Sequence, residues 1–346
     1  MTGFQHAIIG CGRVAPNHVD GFARVPGWSV AAACDREAHV TAFAAEHGIP
    51  RTARDPEELF ADPGVTSVSI AVDHAQHGPL VERALRAGKH VLVEKPICLD
   101  PAEARRLTAF AAQHGLVLAV VAQHRYDPLV LAVRRWVADG ELGRLVFGAV
   151  QLKARRPADY YTGSYWRGTV AGEGGSALVN QGYHALDAIH WICGDVTVAG
   201  ALAGRRVLGD VIETEDTLSG LLSAGGTPVT LNVTVGSSEE WRSRIELAGD
   251  LGWVVFDLDH PGRVHDWGGS ARLDGLARAE RDRSLAEEPP GPAYYGTSHR
   301  RLIADFCQSV ATGRPMLSAT GDAVATLDTI VELYERAQAG SAPALH

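Results

Sequence analysis

Three polar side chains in this sequence have types and settings that suit proton transfer: Lys95, Asn180 and His184. The run Gly174-Gly175-Ser176-Ala177-Leu178-Val179-Asn180-Gln181-Gly182-Tyr183-His184-Ala185-Leu186-Asp187 opens with small residues. Such residues let a backbone approach a ligand closely. The run then takes a helical pattern, in which Asn180 and His184, four apart, share a face. A histidine beside a carboxamide, next to a glycine-rich entry, is a setting in which a proton is moved. The competing reading is an ordinary helix histidine held by Asp187, since structural ion pairs are common. Lys95 stands in Glu94-Lys95-Pro96, directly after the apolar run His90-Val91-Leu92-Val93. A lysine held at a strand end sheds or shares its proton more easily once neighbours desolvate it. Pro96 fixes the turn, and the Lys95–Pro96 bond is a candidate for the cis form. For Glu-Lys-Pro alone, a solvated lysine after a strand is the default.

The elements that must position these groups begin at the N-terminus. His6-Ala7-Ile8-Ile9 is a short apolar strand leading into Gly10-Cys11-Gly12-Arg13-Val14-Ala15. A helix over Asn17 to Arg24 follows, with Val19, Phe22 and Ala23 at helical spacing. In this GxGxxA loop the first glycine allows the tight turn and the second lets the backbone reach a pyrophosphate. Ala15 allows close helix–strand packing, and the helix N-terminus faces the phosphates. A second strand, Trp28 to Cys34, ends at Asp35, about 20 residues past the loop, where such a fold presents an acid to the adenosine ribose. A carboxylate there repels a 2′-phosphate and favours NAD. Arg36, its neighbour, suits stacking on adenine or pairing with that phosphate, so NADP stays open.

Alternating β and α then continues. Helices are expected over Ala38–His47, Pro56–Ala61, Pro79–Ala87 and Pro101–Gln113, the last capped by Asp100. Strands are expected over Val65–Val72, His90–Val93 and Leu116–Val121, apolar throughout as in a parallel sheet covered on both faces. This predicts a doubly wound Rossmann domain over residues 1–122. The carboxyl ends of its strands form the ligand crevice. The cofactor candidates are therefore Gly10, Gly12, Arg13, Val14, Ala15, Asp35, Arg36, Ala71, Asp73, His77, Glu94, Lys95 and Gln123, with Trp166 and Arg167 from further along the chain.

After Gln123 the rhythm changes. A helix is expected over Leu129–Asp139. Strands follow over Leu145–Lys153, Val196–Leu208, Glu215–Ser223, Pro228–Val235, Arg242–Ala248 and Gly252–Asp257. Alternation as in Thr230-Leu231-Asn232-Val233-Thr234-Val235 gives one covered and one open face. Residues 123–346 thus read as an α+β domain on a large, mainly antiparallel open sheet. Its open face is expected to build a dimer or tetramer. Arg155 to Glu173 interrupts the sheet with Tyr160-Tyr161 and Tyr165-Trp166-Arg167-Gly168-Thr169. Long loops tend to be functional, aromatic faces suit sugar rings or nicotinamide, and arginines suit phosphate or carboxylate. Substrate candidates are Lys95, Arg125, Tyr161, Arg167, Asn180 and His184. Ala277 to Pro292 reads as a charged, exposed excursion, and His299–Ala311 and Gly321–Gln338 as amphipathic packing helices.

The whole chain narrows the function classes. At 346 residues it is long enough for two domains, and its 46% hydrophobic and 21% charged content is that of an ordinary globular protein. A net charge of −9 argues against nucleic acid as partner. No apolar run approaches the roughly 18 residues of a membrane span, and the first residues lack a signal-peptide pattern. Five scattered cysteines without a CxxC pair suit reduced thiols in a cytoplasm.

Three signals in this order resemble the glucose–fructose oxidoreductase / inositol dehydrogenase / MocA (Gfo/Idh/MocA) family. They are Gly10-x-Gly12-x-x-Ala15, then Glu94-Lys95-Pro96, then Gly174-Gly175 running into Gly182-x-His184-x-x-Asp187. The resemblance spans nearly the whole chain. It implies an NAD(P)-dependent oxidoreductase acting on a hydroxyl of a sugar or cyclitol, with Lys95 and His184 flanking the reacting carbon. The family often has aspartate four residues before the histidine, where this chain has Asn180. That removes a charge which would raise the histidine pKa, and it leaves open whether Lys95 or His184 is the base. Trp166-Arg167-Gly168-Thr169 and Asn180-Gln181-Gly182-x-His184 resemble members acting on hexoses or nucleotide-linked hexoses, sugar-nucleotide 3-dehydrogenases among them. Alternatives are an NAD-binding module without turnover, an NAD-retaining glycosidase, a keto-sugar reductase, and a metal-dependent lyase or hydrolase using His184, Asp187 and His190. In the last, three-residue steps do not converge on one helix face, and no metal is expected.

Overall fold

In the computed structural model, residues 3–36, 38–259, 262–286 and 296–339 are described. They fall into two units. One comprises Met1–Gln123 with Thr297–Val324, the other His124–Gly296 with Ala325–His346.

The first unit alternates strand and helix: β1 (Phe4–Ile9), α1 (Ala15–Ala23), β2 (Trp28–Cys34), α2 (Val40–Glu46), β3 (Arg51–Ala53), α3 (Glu57–Phe60), β4 (Ser67–Ile70), α4 (His74–Arg86), β5 (His90–Val93), α5 (Pro101–Gln113) and β6 (Leu118–Val120). The six strands pair in parallel in the order β3-β2-β1-β4-β5-β6. Ala7, Ile8, Val68, Ile70, Val91 and Leu92 have no exposed surface, as a sheet covered on both faces requires. Asp100 caps α5 as expected, accepting the Ala102 N–H at 2.8 Å. Two elements differ from the sequence expectation. The short edge strand β3 was unforeseen, and α4 begins at His74 rather than Pro79. Pro79 forfeits one helical hydrogen bond, but buried His74, His77 and Gly78 carry the helix back one further turn.

The second unit opens with a single 3₁₀ turn (Gln123–Tyr126), whose first residue belongs to the first unit. It continues through α6 (Pro128–Ala138), β7 (Leu145–Arg155), α7 (Ala158–Thr162), a π-helical turn (Ala177–Gly182), α8 (Tyr183–Cys193), β8 (Val196–Gly204), β9 (Thr217–Ala224), β10 (Thr227–Thr234), β11 (Gly236–Gly249), β12 (Trp253–Phe256), β13 (Val264–Gly268) and α9 (Ala271–Ala286). The seven-stranded order is β13-β12-β11-β7-β10-β9-β8. Only β7 and β10 run parallel; the sheet is otherwise antiparallel. Val150, Leu152, Leu218, Leu222, Leu231, Ile245 and Leu247 fill its inner face together with Leu186 and Ile189 of α8. The stretch read as an exposed excursion from Ala277 is instead the end of α9, while residues 287–292 lie outside the described residues. Its charges pair along the helix, Arg278 with Asp274 and Arg283 with Glu280, and Leu273 and Ala277 are buried.

The C-terminal helices are α10 (Gly296–Thr312) and α11 (Thr320–Ala339). Of these helices, residues Thr297–Val324 group with the first unit. There Phe306 meets Phe22 edge-on at 6.2 Å. Gly21 leaves room for Ile303, whose Cδ1 would lie 2.3 Å from a β-carbon at residue 21. Burying such side chains contributes about 1.5–3 kcal/mol each.

Candidate active site

The β1–α1 turn has the geometry a dinucleotide needs. Gly10 has φ +94°, and a β-carbon on it would stand 2.3 Å from the Ala71 carbonyl oxygen, so only glycine fits. Its N–H donates to the Cys34 carbonyl at 2.9 Å. A β-carbon on Gly12 would meet nothing within 4 Å, which leaves the loop open to a bulky anion. Ala15, with no exposed surface, starts α1 against the sheet. At the end of β2, the Asp35 carboxylate accepts the Cys11 N–H at 2.8 Å. The acid read from the sequence thus grips the glycine loop itself. His39, not singled out in the sequence, lies 3.5 Å from Asp35. Arg13 and Arg36 are exposed, Val14 is half-buried, and the Arg36 guanidinium lies 3.9 Å from Asp73. Tight turn, open glycine, helix start and strand-end acid together fit NAD.

Ala71 and Asp73 follow β4, and Glu94 and Lys95 follow β5. The Lys95–Pro96 peptide is cis. His77, expected at the cofactor, sits between two backbone carbonyls. It has no exposed surface, and its ring nitrogens lie 2.6 Å from the Pro96 carbonyl and 3.2 Å from the Val72 carbonyl. It braces the turn after Lys95. Gln123 is buried at the end of this unit.

Behind Glu94 runs a polar chain that sequence reasoning missed. His6 Nδ1 lies 2.8 Å from Ser67 Oγ, and His6 Nε2 and His18 Nδ1 each lie 2.8 Å from Ser69 Oγ. His18 Nε2 lies 3.0 Å from Glu94 Oε1, and His299 3.9 Å from it. Burial alone would raise the Glu94 carboxyl. The hydrogen bond with His18 and the nearby His299 ring overcome it and hold the group well below the usual carboxylate range. Strand alternation sets Ser67 and Ser69 on one face of β4, the only signal that could have revealed the chain.

In the second unit, the π-helical turn carries Asn180, and α8 begins one residue before His184. Asn180 Nδ2 donates to Glu173 Oε1 at 2.5 Å. Glu173 Oε2 accepts the Gly168 N–H at 2.7 Å and the Ser176 hydroxyl at 2.5 Å. Burial pushes the Glu173 carboxyl up, against those bonds and the Arg167 charge. His184 is half-buried, and its ring meets His124 edge-on at 4.9 Å. His124 in turn lies 2.5 Å from Asp127. Arg167 stacks on Tyr160 and Trp166, at 4.5 and 5.1 Å from their ring centres, while Arg156 lies 5.4 Å from Tyr160.

One sequence reading is corrected here, and two residues expected at the substrate are buried. Asp187 does not hold His184: it pairs with Arg125 through two bonds of 2.8 and 2.6 Å and accepts Thr326 at 3.0 Å. Arg125, expected at the substrate, is 1% exposed and makes that pair. Tyr161 is likewise buried at 2%. Burial, Glu173 and Tyr160 push its phenol above the ordinary tyrosine range. Glu173 and His124 were missed; the one hint was a lone acid within Gly172-Glu173-Gly174-Gly175.

The description "Oxidoreductase family, NAD-binding Rossmann fold" (Gfo/Idh/MocA) matches residues 4–122, and the GFO/IDH/MocA C-terminal domain matches residues 130–255. D-apiose dehydrogenase of Paraburkholderia graminis is 28% identical over 77% of this chain and 71% of its own length. Inositol 2-dehydrogenase of Rhizobium meliloti is 24% identical over 93% of each chain. Among solved structures, the WlbA dehydrogenase of Bordetella pertussis, in complex with NADH and UDP-GlcNAcA, superposes with TM-score 0.86 at 22% identity, covering 99% of this chain and 98% of its own. Levoglucosan dehydrogenase, in complex with NADH and levoglucosan, superposes with TM-score 0.83 at 18% identity over 98% of both chains.

Proposed function

Because the chain belongs to the Gfo/Idh/MocA family of NAD-binding oxidoreductases, we propose that it transfers a hydride between NAD and a hydroxyl-bearing carbon of a sugar. The substrate class is a hexose, an amino sugar or a nucleotide-linked hexose. The observation that carries this reading is the glycine turn gripped by Asp35, a carboxylate placed where a 2′-phosphate would be repelled. The names of the relatives, dehydrogenases of apiose and inositol, support oxidation of a sugar or cyclitol hydroxyl, and the structural neighbours bound to UDP-GlcNAcA and levoglucosan support the hexose class.

Gly10 and Ala15 would shape the turn, Gly12 would admit the pyrophosphate and Asp35 would hold the ribose, and bound NAD would supply the carbon that accepts the hydride. The chain's own residues manage the proton. His184 takes it from the substrate hydroxyl as general base while the carbonyl forms. Lys95 positions the oxygen and stabilises its developing negative charge. Asn180 orients the substrate, and Trp166 and Arg167 border the nicotinamide. Run backwards, the same groups return the proton to a keto-sugar.

We also place the protein in the cytoplasm, which its five free cysteines support. Among the described residues no helix is long and apolar enough to cross a membrane. The open face of the second sheet suits a homo-oligomer.

The test is nicotinamide absorbance against a panel of sugars, cyclitols and nucleotide sugars. Wild-type protein is expected to reduce NAD in preference to NADP. Lys95→Ala and His184→Ala are each expected to lower kcat by about 10²–10⁴-fold, the usual worth of a positioned acid or base, with NAD binding kept. Wild-type turnover in both variants would overturn the assignment of Lys95 and His184.

A further inference from the structure

We propose that Glu173 is a positioning residue of the reaction: it fixes the Asn180 carboxamide in one orientation, so that Oδ1 serves as a hydrogen-bond acceptor for the substrate. The inference rests on the reading of Asn180 and His184 as site groups and deepens it.

The argument starts from what each group can do. An ionised carboxylate only accepts hydrogen bonds, whereas a carboxamide donates at its nitrogen and accepts at its oxygen. Facing a carboxylate, the amide has one favourable orientation, nitrogen first. That is the arrangement found, with Asn180 Nδ2 on Glu173 Oε1 at 2.5 Å. The two ends of the amide diverge, so fixing the nitrogen turns the oxygen away from Glu173.

Glu173 is itself held rigidly. It has no exposed surface, and its other oxygen takes the Gly168 N–H and the Ser176 hydroxyl. Ser176 Oγ also lies 2.6 Å from Thr214 Oγ1, and Thr214 Oγ1 3.3 Å from the Gly168 carbonyl. Each contact ties the loop before the π-helical turn to the strand side of the unit. A buried carboxylate surrounded by donors is costly to keep unless it is satisfied. Here one of its donors belongs to the residue one helical turn before His184. A chain with asparagine at this position therefore still has a carboxylate in the site, set one shell further out. Its charge reaches the substrate through an oriented amide.

A charge swap tests this. Glu173→Gln offers both a donor and an acceptor, so the amide at 180 loses its enforced orientation. We expect kcat to fall about 10–100-fold, the worth of one charge-assisted hydrogen bond, with KM for NAD unchanged. Asn180→Asp alone sets two carboxylates face to face and is expected to lose a comparable factor. The double variant Glu173→Gln/Asn180→Asp restores a donor facing an acceptor and is expected to recover turnover above either single variant. A purely structural Glu173 gives no such recovery. Wild-type kcat in Glu173→Gln, or a double variant no better than the worse single, would overturn the proposal.

The clamp can also be read without turnover. The side-chain amide protons of Asn180, assigned by their loss in Asn180→Asp, are expected to move upfield in the NMR spectrum of Glu173→Gln. Unchanged shifts would defeat the proposal. Failure of the wild-type protein to turn over any substrate would count against the functional reading instead. Should Glu173→Gln fold poorly, Asn180→Leu keeps the Glu173 bonds to Gly168 and Ser176. Unchanged turnover in Asn180→Leu would also overturn the clamp.

Discussion

A buried histidine between two serines is easy to keep neutral and hard to charge. His6 has no exposed surface, lies 2.8 Å from both Ser67 and Ser69, and stacks on Phe22 at 3.5 Å. Burial first, and then the nearby His18, hold its pKa well below 6.5. Burial lowers His77 and His90 in the same direction. The unfolded chain therefore takes up protons near pH 6.5 that the folded chain refuses. Stability is full above that pH and falls below it, by up to about 1.4 kcal/mol per pH unit for each such proton. The urea midpoint is expected to drop between pH 6.5 and 5.5. His6→Asn should flatten that slope even if it lowers stability at pH 8. An equal slope in the variant would show that His6 does not carry the effect. None of this was legible in the sequence, because His6 and Ser67 are 61 positions apart and their meeting depends on strand register. The glycine turn and Asp35 were legible because their constraints are local: a left-handed φ, a helix start and a strand end. Glu173 lay between these cases, visible as an acid but not as a partner.

At the scale of elements, the turn that presents Asn180 is braced from behind. Glu215 accepts the Ser176 N–H at 3.3 Å and the Leu178 N–H at 2.9 Å. The Tyr334 hydroxyl donates to Glu215 at 2.9 Å and accepts the Val179 N–H at 3.3 Å. The fit is close: a β-carbon on Gly175 would lie 2.0 Å from the Tyr334 oxygen. A π-helical turn widens the helix and has fewer favourable contacts than an α turn, so it persists where side chains hold it. Tyr334→Phe removes both bonds while keeping the ring. It is expected to destabilise the protein by about 1–3 kcal/mol, since Glu215 stays buried with one donor fewer. It should also lower kcat through a loosened Asn180. Wild-type values in denaturant melts and turnover would show that the brace is dispensable. The sequence expectation of a plain helix here missed the wider pitch, because Tyr334 and Glu215 lie far along the chain. Elsewhere, apolar runs placed most strands within a few residues. Pro79 and the charges of α9 misled the reading, since packing overrode both signals.

At the scale of the molecule, the second sheet has one face still to explain. Strand alternation and register set Leu202, Ser219, Asn232 and Gln151 in one row of its outer face, with Leu221, Thr230 and Ala149 in the next. Leu202 is 65% exposed, Leu221 58% and Phe147 38%. The inner face is filled, so these side chains belong to a surface and not to a core. A net charge of −9 makes copies of the chain repel, so association has to come from apolar contact at such a face. Two copies meeting face to face would bring each leucine against the partner sheet, and a stable pair buries roughly 1,200–2,000 Å². Leu202→Glu/Leu221→Glu sets four added carboxylates into that contact in a twofold pair. Sedimentation velocity is expected to show an oligomer for the wild-type protein and a monomer for the double variant. NAD binding should persist in the variant, because Gly10, Gly12 and Asp35 lie in the other unit. An unchanged sedimentation coefficient would place the interface elsewhere. A monomeric wild-type protein would mean that these leucines simply face water.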